Sequence, residues 1–254
     1  MGTIVVTGGT GTLGRHVTER LREAGREVRV VSRHSAPYAV DLRDGRGLDA
    51  ALAGAPTVVH CATTLSGGDE RAARRLVDAA GRAGVAHLVY ISIVGVDRVP
   101  FGYYRTKLAV EKLVERSGLG WTILRTTQFH DLVLRVLEGA ARLPVLLPVP
   151  AGVPDQPVEV REVAARLAEL ALGEPAGLVP DMGGPEVRTV EDLAGAYLRA
   201  SGRRRRVVPV PLVGGTYRAF RAGGHLARDR AVGTGTFEDH LRRHFAEGAR
   251  EARG

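Results

Sequence analysis

A single cysteine, Cys61, stands in 254 residues. No internal disulfide can form, and a disulfide-stapled scaffold is excluded. No apolar run approaches the ~20 residues needed to cross a bilayer. The opening Met1-Gly2-Thr3-Ile4-Val5-Val6 lacks a basic leader, and Val6 stands where a myristoylation signal needs Ser or Thr. These absences lead to the expectation of a soluble cytoplasmic protein with no membrane partner. Lysine is scarce as well: Lys107 and Lys112 are the only two among 36 basic residues. No repeat with a period of about 20–50 residues recurs, and no G-x-S-x-G elbow is present. His240 and His244 have helical i, i+4 spacing but neither an intervening Glu nor a third ligand, so no metal site is expected.

What is present is a globular composition, 44% hydrophobic and 25% charged, which excludes a largely disordered chain. A chain of this length buries roughly 70–75% of its unfolded surface without a staple. The formal net charge of +8 is spread among interleaved acids, apart from the run Arg203-Arg204-Arg205-Arg206. That run reads as a solvated turn before the apolar Val207-Val208-Pro209-Val210. Its alternative is a phosphate-contacting patch with salt-dependent, sequence-blind affinity. No nucleic-acid partner is expected.

Short β-branched runs alternate with Ala/Leu/Arg segments of helical spacing. Strands are expected at 3–7, 27–32, 38–41, 57–61, 87–92 and 121–125, and helices at 11–24, 44–52, 71–83 and 103–116. Continuous apolar strands alternating with helices predict an α/β fold, a doubly wound parallel sheet of the Rossmann type. After Leu143, prolines 144, 148, 150, 154 and 157 change the texture. Helical spacing returns at 161–172, 190–200 and 237–246, with a short strand near Val207. The expectation is a nucleotide-binding core over 1–143 and a smaller C-terminal substrate lobe over 144–254, not independent of it.

The turn Thr7-Gly8-Gly9-Thr10-Gly11-Thr12-Leu13-Gly14 joins the first strand to the first helix. Gly8, Gly11 and Gly14 permit a tight turn and close backbone approach, so that a pyrophosphate can rest on the helix N-terminus. Thr10, Thr12 and Leu13 complete this turn. An NAD site would place Asp or Glu at the end of the second strand, on the ribose 2′-hydroxyl. Here Ser32, Arg33 and His34 stand instead, a hydroxyl and two potential cations suited to a 2′-phosphate. The expected cofactor is NADP(H).

With these motifs, the chain resembles the atypical short-chain dehydrogenase/reductases of the NmrA-like, NAD(P)H-binding group. The T-G-G-T-G-x-L-G turn, Val40-Asp41-Leu42, Tyr103-x-x-x-Lys107 and Leu124-Arg125-Thr126-Thr127-Gln128-Phe129 carry the resemblance. Gln156-Pro157-Val158 followed by Glu162-Val163-Ala164 extends it into the second half. The resemblance implies that Asp41 and Leu42 sit at the adenine and that Cys61, Ala62 and Thr63 lie beside the cofactor. It also implies that Lys107 holds the nicotinamide ribose.

Tyr103 and Lys107 share a helix face, and a nearby ammonium would lower the phenol pKa toward neutrality. Tyr103 could then give a proton to a carbonyl oxygen as hydride arrives at carbon. Tyr104, three residues from Lys107, is the alternative donor. Ser92 is the candidate for orienting the substrate oxygen, although alignment on Val96 puts Ile93 where the family's hydroxyl stands. Gln128 and Phe129 are candidate substrate contacts beyond the sixth strand, and His130 is expected to start a helix facing solvent, with a second proton donor as the alternative. The expected function is an NADPH-dependent reductase acting on a small carbonyl or conjugated carbonyl compound. A non-catalytic NADP(H)-sensing regulator and a redox-neutral epimerase or lyase are the alternatives. Oligomeric state is not legible.

Overall fold

The computed structural model describes residues 2–33, 35–63 and 67–251, with side chains up to residue 248. In chain order the elements are β1 (Ile4–Thr7), α1 (Thr12–Glu23), β2 (Val28–Val31), α2 (Leu48–Leu52), β3 (Thr57–His60) and α3 (Asp69–Arg82). Then come β4 (His87–Ile93), α4 (Gly102–Glu115), β5 (Gly120–Thr126), α5 (His130–Ala140), β6 (Leu146–Pro150), β7 (Pro154–Asp155) and α6 (Val160–Leu172). The chain closes with β8 (Gly177–Leu178), β9 (Arg188–Thr189), α7 (Val190–Ser201), β10 (Arg206–Val210), α8 (Gly215–Arg221) and α9 (Phe237–Glu251).

Six strands form the central sheet in the order β2-β1-β3-β4-β5-β8. The registered pairs of β1 with β2, β1 with β3, β3 with β4 and β5 with β8 are parallel. The chain leaves β1 in one direction for β2 and returns past it to β3. That reversal opens a crevice at the carboxyl ends of the strands. All four residues of β1 are buried, as a strand covered on both faces requires. Leu13, Val17 and Leu21 recur at i, i+4 and i+8 and form the buried stripe of α1. Burying each such side chain stabilises the fold by roughly 1.5–3 kcal/mol.

The chain divides into two compact units. The first holds residues 1–97, 101–125 and 160–181; the second holds 98–100, 126–159 and 182–254. The units interleave along the sequence, whereas composition changes once, near residue 143. In the first unit, α6 packs on α1 and on the strands β3 and β4. In the second, β6 pairs in parallel with β10, β7 pairs antiparallel with β9, and α5, α7 and α9 enclose a core containing Leu137, Leu193 and Phe237.

Two local expectations are corrected. Residues 38–41 form no strand: only Ala39 pairs, as a lone bridge to Ser32, because the Ser35 hydroxyl bonds the Tyr38 carbonyl and closes a loop. The helix expected from Asp44 begins at Leu48. The Asp41 and Asp44 side chains accept the backbone N–H groups of Arg43 and Arg46, an alternative to helical bonding.

One buried ion pair ties α4 to β5. Arg125 grips Glu111 with both prongs, Nε to Oε1 at 2.9 Å and Nη2 to Oε2 at 2.6 Å, and donates to Asp97 at 2.9 Å. Removing Glu111 takes away the buried partner and leaves Arg125 only the exposed Asp97, so the loss falls at the low end of the about 3–5 kcal/mol that breaking a buried pair costs. Glu111→Ala is therefore expected to lower the urea unfolding free energy by about 3 kcal/mol. A smaller loss is expected for Glu111→Gln.

Candidate active site

The site lies at the carboxyl ends of β1, β3 and β4. The turn after β1 is built for close approach. Gly8 adopts φ +68°, and a Cβ there would fall 2.8 Å from the Ala62 backbone. A Cβ on Gly14 would fall 2.2 Å from the Gly8 carbonyl oxygen, so only glycine lets α1 begin against this turn. Gly11 caps α1 without a side-chain hydrogen bond, and the first helical turn carries no acid. Its N–H groups and positive dipole end thus meet no competing carboxylate. Thr10 and Gly11 are exposed, Thr12 is half-buried and Leu13 is buried. These residues fit a pyrophosphate-bearing dinucleotide.

At the end of β2, Arg33 is exposed and lies close enough to Asp41 to act on its carboxyl. Asp41 is itself held by Arg43, with Nη2 to Oδ2 at 2.6 Å, and this pairing takes its pKa down to about 2. Leu42 packs on the core of the first unit. The backbone N–H of Ser32 donates to the Ser35 hydroxyl at 2.8 Å. His34 lies outside the described residues.

Thr7, His60 and Tyr90 are register partners across three adjacent strands and form one buried polar row. His60 Nδ1 and Thr7 Oγ1 are 2.7 Å apart, and the His60 and Tyr90 rings stack with centroids 5.5 Å apart. Lys107 descends from α4 onto this row. Its Nζ sits 4.4 Å above the Tyr90 ring and donates to the Ile91 carbonyl at 2.8 Å. Burial pushes the Lys107 pKa down to about 8, against the pull of Asp69, Cys61 and Glu111. Burial, and then the Lys107 charge, hold His60 neutral with a pKa of about 3. The Cys61 thiol is pushed by burial up to about 12, which leaves it an inert side chain beside Ala62.

Side chains alternate along β4, so Ser92 shares the Tyr90 face, over which Lys107 lies, and Ile93 takes the other. Ser92 is 1% exposed and its Oγ has no hydrogen-bond partner among the described residues. An orphaned buried hydroxyl on this face is what a bound oxygen atom would satisfy.

Tyr103, half-buried in the first turn of α4, sits 2.9 Å from Thr63 Oγ1. Thr63 in turn donates to Asp69 Oδ2 at 2.5 Å. With the threonine proton committed to the carboxylate, the phenol is the donor toward Thr63. Tyr104 is buried and packs edge-to-face on Phe101, a core position. The Tyr103 phenol is not depressed, as its spacing from Lys107 had implied. Burial raises its pKa, and the Asp69 charge adds to the rise. The lysine is drawn to the Tyr90 ring and the Ile91 carbonyl instead.

Asp69, His60 and Tyr90 were not singled out from sequence. An acid opening a helix is an ordinary helix start, and polar residues at strand ends become a row only once register is known. Gln128 and Phe129 belong to the second unit. The Gln128 carbonyl accepts the Val158 N–H at 2.8 Å, and Phe129 caps α5. His130 does begin that helix, but it is buried, not solvent-facing. Its Nε2 bonds the Gly235 carbonyl at 3.0 Å, and its ring meets Phe237 and His240.

The family model described as NAD(P)H-binding matches residues 8–170, from the glycine turn into α6. The chain belongs to the NAD(P)H-binding family. Among curated relatives of this family member, a Streptomyces griseus (4-alkanoyl-5-oxo-2,5-dihydrofuran-3-yl)methyl phosphate reductase is 30% identical over 218 residues, 80% of this chain and 75% of the relative. An NAD(P)H azoreductase of Xenophilus azovorans is 29% identical, over 82% and 77%. Quinone oxidoreductase 2 of Escherichia coli is 26% identical, over 79% and 75%. The solved E. coli NADPH-dependent quinone oxidoreductase complexed with NADPH superposes with a TM-score of 0.78 at 20% identity, over 95% of this chain and 99% of that one. That likeness speaks for the fold. The chain is also 33% identical, over 62% of its residues, to uncharacterized proteins of Mycobacterium tuberculosis and Mycobacterium bovis, spanning 18% of their length.

Proposed function

We propose that the chain is an NADPH-dependent reductase whose acceptor is a small, electron-poor conjugated carbonyl compound such as a quinone or an enone. The observation that carries this reading is the constellation of a half-buried phenol, a buried ammonium and an unpartnered buried hydroxyl beside a glycine turn open to a dinucleotide. The named activities of the relatives support it: a quinone, an azo compound and an oxo-dihydrofuran are all conjugated acceptors. NADP(H) preference rests on Arg33, whose guanidinium suits a 2′-phosphate where an acid would repel it.

When bound, the dinucleotide supplies the hydride. Gly8, Gly11 and Gly14 would hold its pyrophosphate and Arg33 its 2′-phosphate, while Lys107 would face the nicotinamide ribose. Tyr103 Oη gives its proton to the acceptor oxygen, and Ser92 Oγ donates a hydrogen bond to that same oxygen. Thr63 and Asp69 fix the phenol between turnovers.

The test is consumption of NADPH by the purified chain with a naphthoquinone, a cyclic enone and an aromatic azo compound in turn. Steady oxidation with at least one is expected. Tight NADPH binding with no oxidation by any of them would sink the reductase reading. Arg33→Ser is expected to raise the Kd for NADPH about tenfold and leave that for NADH unchanged, because a charge-assisted bond contributes about 1.5–3 kcal/mol.

A further inference from the structure

The arginine run described above has no part in this chemistry, and the structure gives it an apolar neighbour. β6 and β10 run parallel, with Leu146 registered opposite Arg206, so the segments leading into them emerge at one edge of the two-stranded sheet. They are tied there by Arg205 Nε to the Leu143 carbonyl at 3.0 Å and Arg206 N–H to the Val145 carbonyl at 3.0 Å. Residues Arg142 to Leu146 are exposed without interruption. Leu143 is 50% exposed, Val145 64% and Leu146 44%. Arg203, Arg204 and Arg206 are exposed alongside. Among the described residues, neither Arg142 nor the run enters an ion pair, in contrast to Arg188 and Arg243 of the same unit.

We propose that this tip, the aliphatic 143–146 segment flanked by Arg142 and Arg203–Arg206, seats the protein reversibly on an anionic lipid surface. Isolated exposed aliphatics are ordinary, but three within four residues, beside guanidiniums outside any ion pair, form an amphipathic unit. At a bilayer interface the aliphatic side chains enter the headgroup–acyl boundary while the guanidiniums meet lipid phosphates, so both halves gain together. Nucleic acid would use the arginines alone, since the segment offers no aromatic platform for bases. A second copy docking through the same face would set two arginine runs against each other across a two-fold axis. Among the described residues no helix is long and apolar enough to cross a membrane, which says nothing against resting on one.

Each arginine near an anionic surface is worth about fivefold in partitioning. The binding is thus salt-sensitive and short-lived. Full-length protein is mixed at low salt with sedimentable vesicles of phosphatidylglycerol and phosphatidylcholine, or of phosphatidylcholine alone. Uptake by the first and not the second is expected. Arg203→Glu with Arg204→Glu is expected to lower uptake at least about twentyfold, and Leu143→Ser with Val145→Ser about tenfold. Circular dichroism and NADPH affinity should be unchanged in both. No uptake by the anionic vesicles overturns the proposal. So does a drop confined to the arginine variant, which would mark a generic polyanion site that duplex DNA should then fill equally well. A concentration-dependent dimer abolished by the serine variant, without vesicle uptake, overturns it in favour of self-association.

Discussion

Tyr103→Phe is expected to lower kcat by about 10²–10⁴-fold, the usual contribution of a positioned proton donor. The nucleotide Kd should be almost unchanged, because the phenol touches Thr63 and not the glycine turn. Tyr104→Phe should have no comparable effect, since its ring is packed in the core. A Tyr103→Phe enzyme with normal turnover would remove the assignment. The pH profile distinguishes the phenol from the lysine. Tyr103 is held above its ordinary value and stays protonated through the neutral range. Lys107, at about 8, loses its charge as pH rises through that value. Activity should therefore fall on the alkaline side near pH 8, and that limb should vanish in Lys107→Arg if the enzyme remains active.

Gly14→Val should abolish nucleotide uptake. The new Cβ would stand 2.2 Å from the Gly8 carbonyl oxygen, a backbone atom in the turn itself, so either α1 or the turn must move. Overpacking of this kind costs about 1–3 kcal/mol, or roughly 2–12 °C in Tm for a chain of this size. The affinity loss is expected to be at least about 100-fold, because the displaced turn is the surface that would meet the pyrophosphate. Calorimetric titration with NADPH and a thermal melt together check this. An unchanged Kd in a folded variant would mean that the dinucleotide binds elsewhere.

Strands β1 to β5 were legible because they are continuous apolar runs, and the helices because they carry a clear stripe: Ile4-Val5-Val6, and Leu13, Val17 and Leu21, leave little choice, whereas the two-residue β8 offers no such run. The glycine turn was legible for the same reason, since its meaning depends only on neighbours in sequence. The polar row was not. Thr7, His60 and Tyr90 are 53 and 30 residues apart and meet only through strand register. The Tyr103–Thr63–Asp69 chain likewise joins three separate elements. β6 was hidden because Pro148 and Pro150 interrupt its pattern. A two-stranded sheet tolerates them, as its outer edge needs no donor. Spacing alone correctly put Tyr103 and Lys107 on one helix but overstated their electrostatic coupling, because it carries no information about what the lysine would meet on the sheet.

The return of α6 and β8 to the first unit has a consequence for biosynthesis. A nascent chain that has released only its first 125 residues exposes the flank of α1 that α6 will cover, and the edge of β5 that β8 will pair. The nucleotide-binding unit thus cannot close until about residue 181 has left the ribosome, by which time residues 126–159 have already emerged. During that interval the half-made sheet is a natural client for a chaperone. A ribosome-stalled series should show protease resistance appearing in one step, past the end of β8.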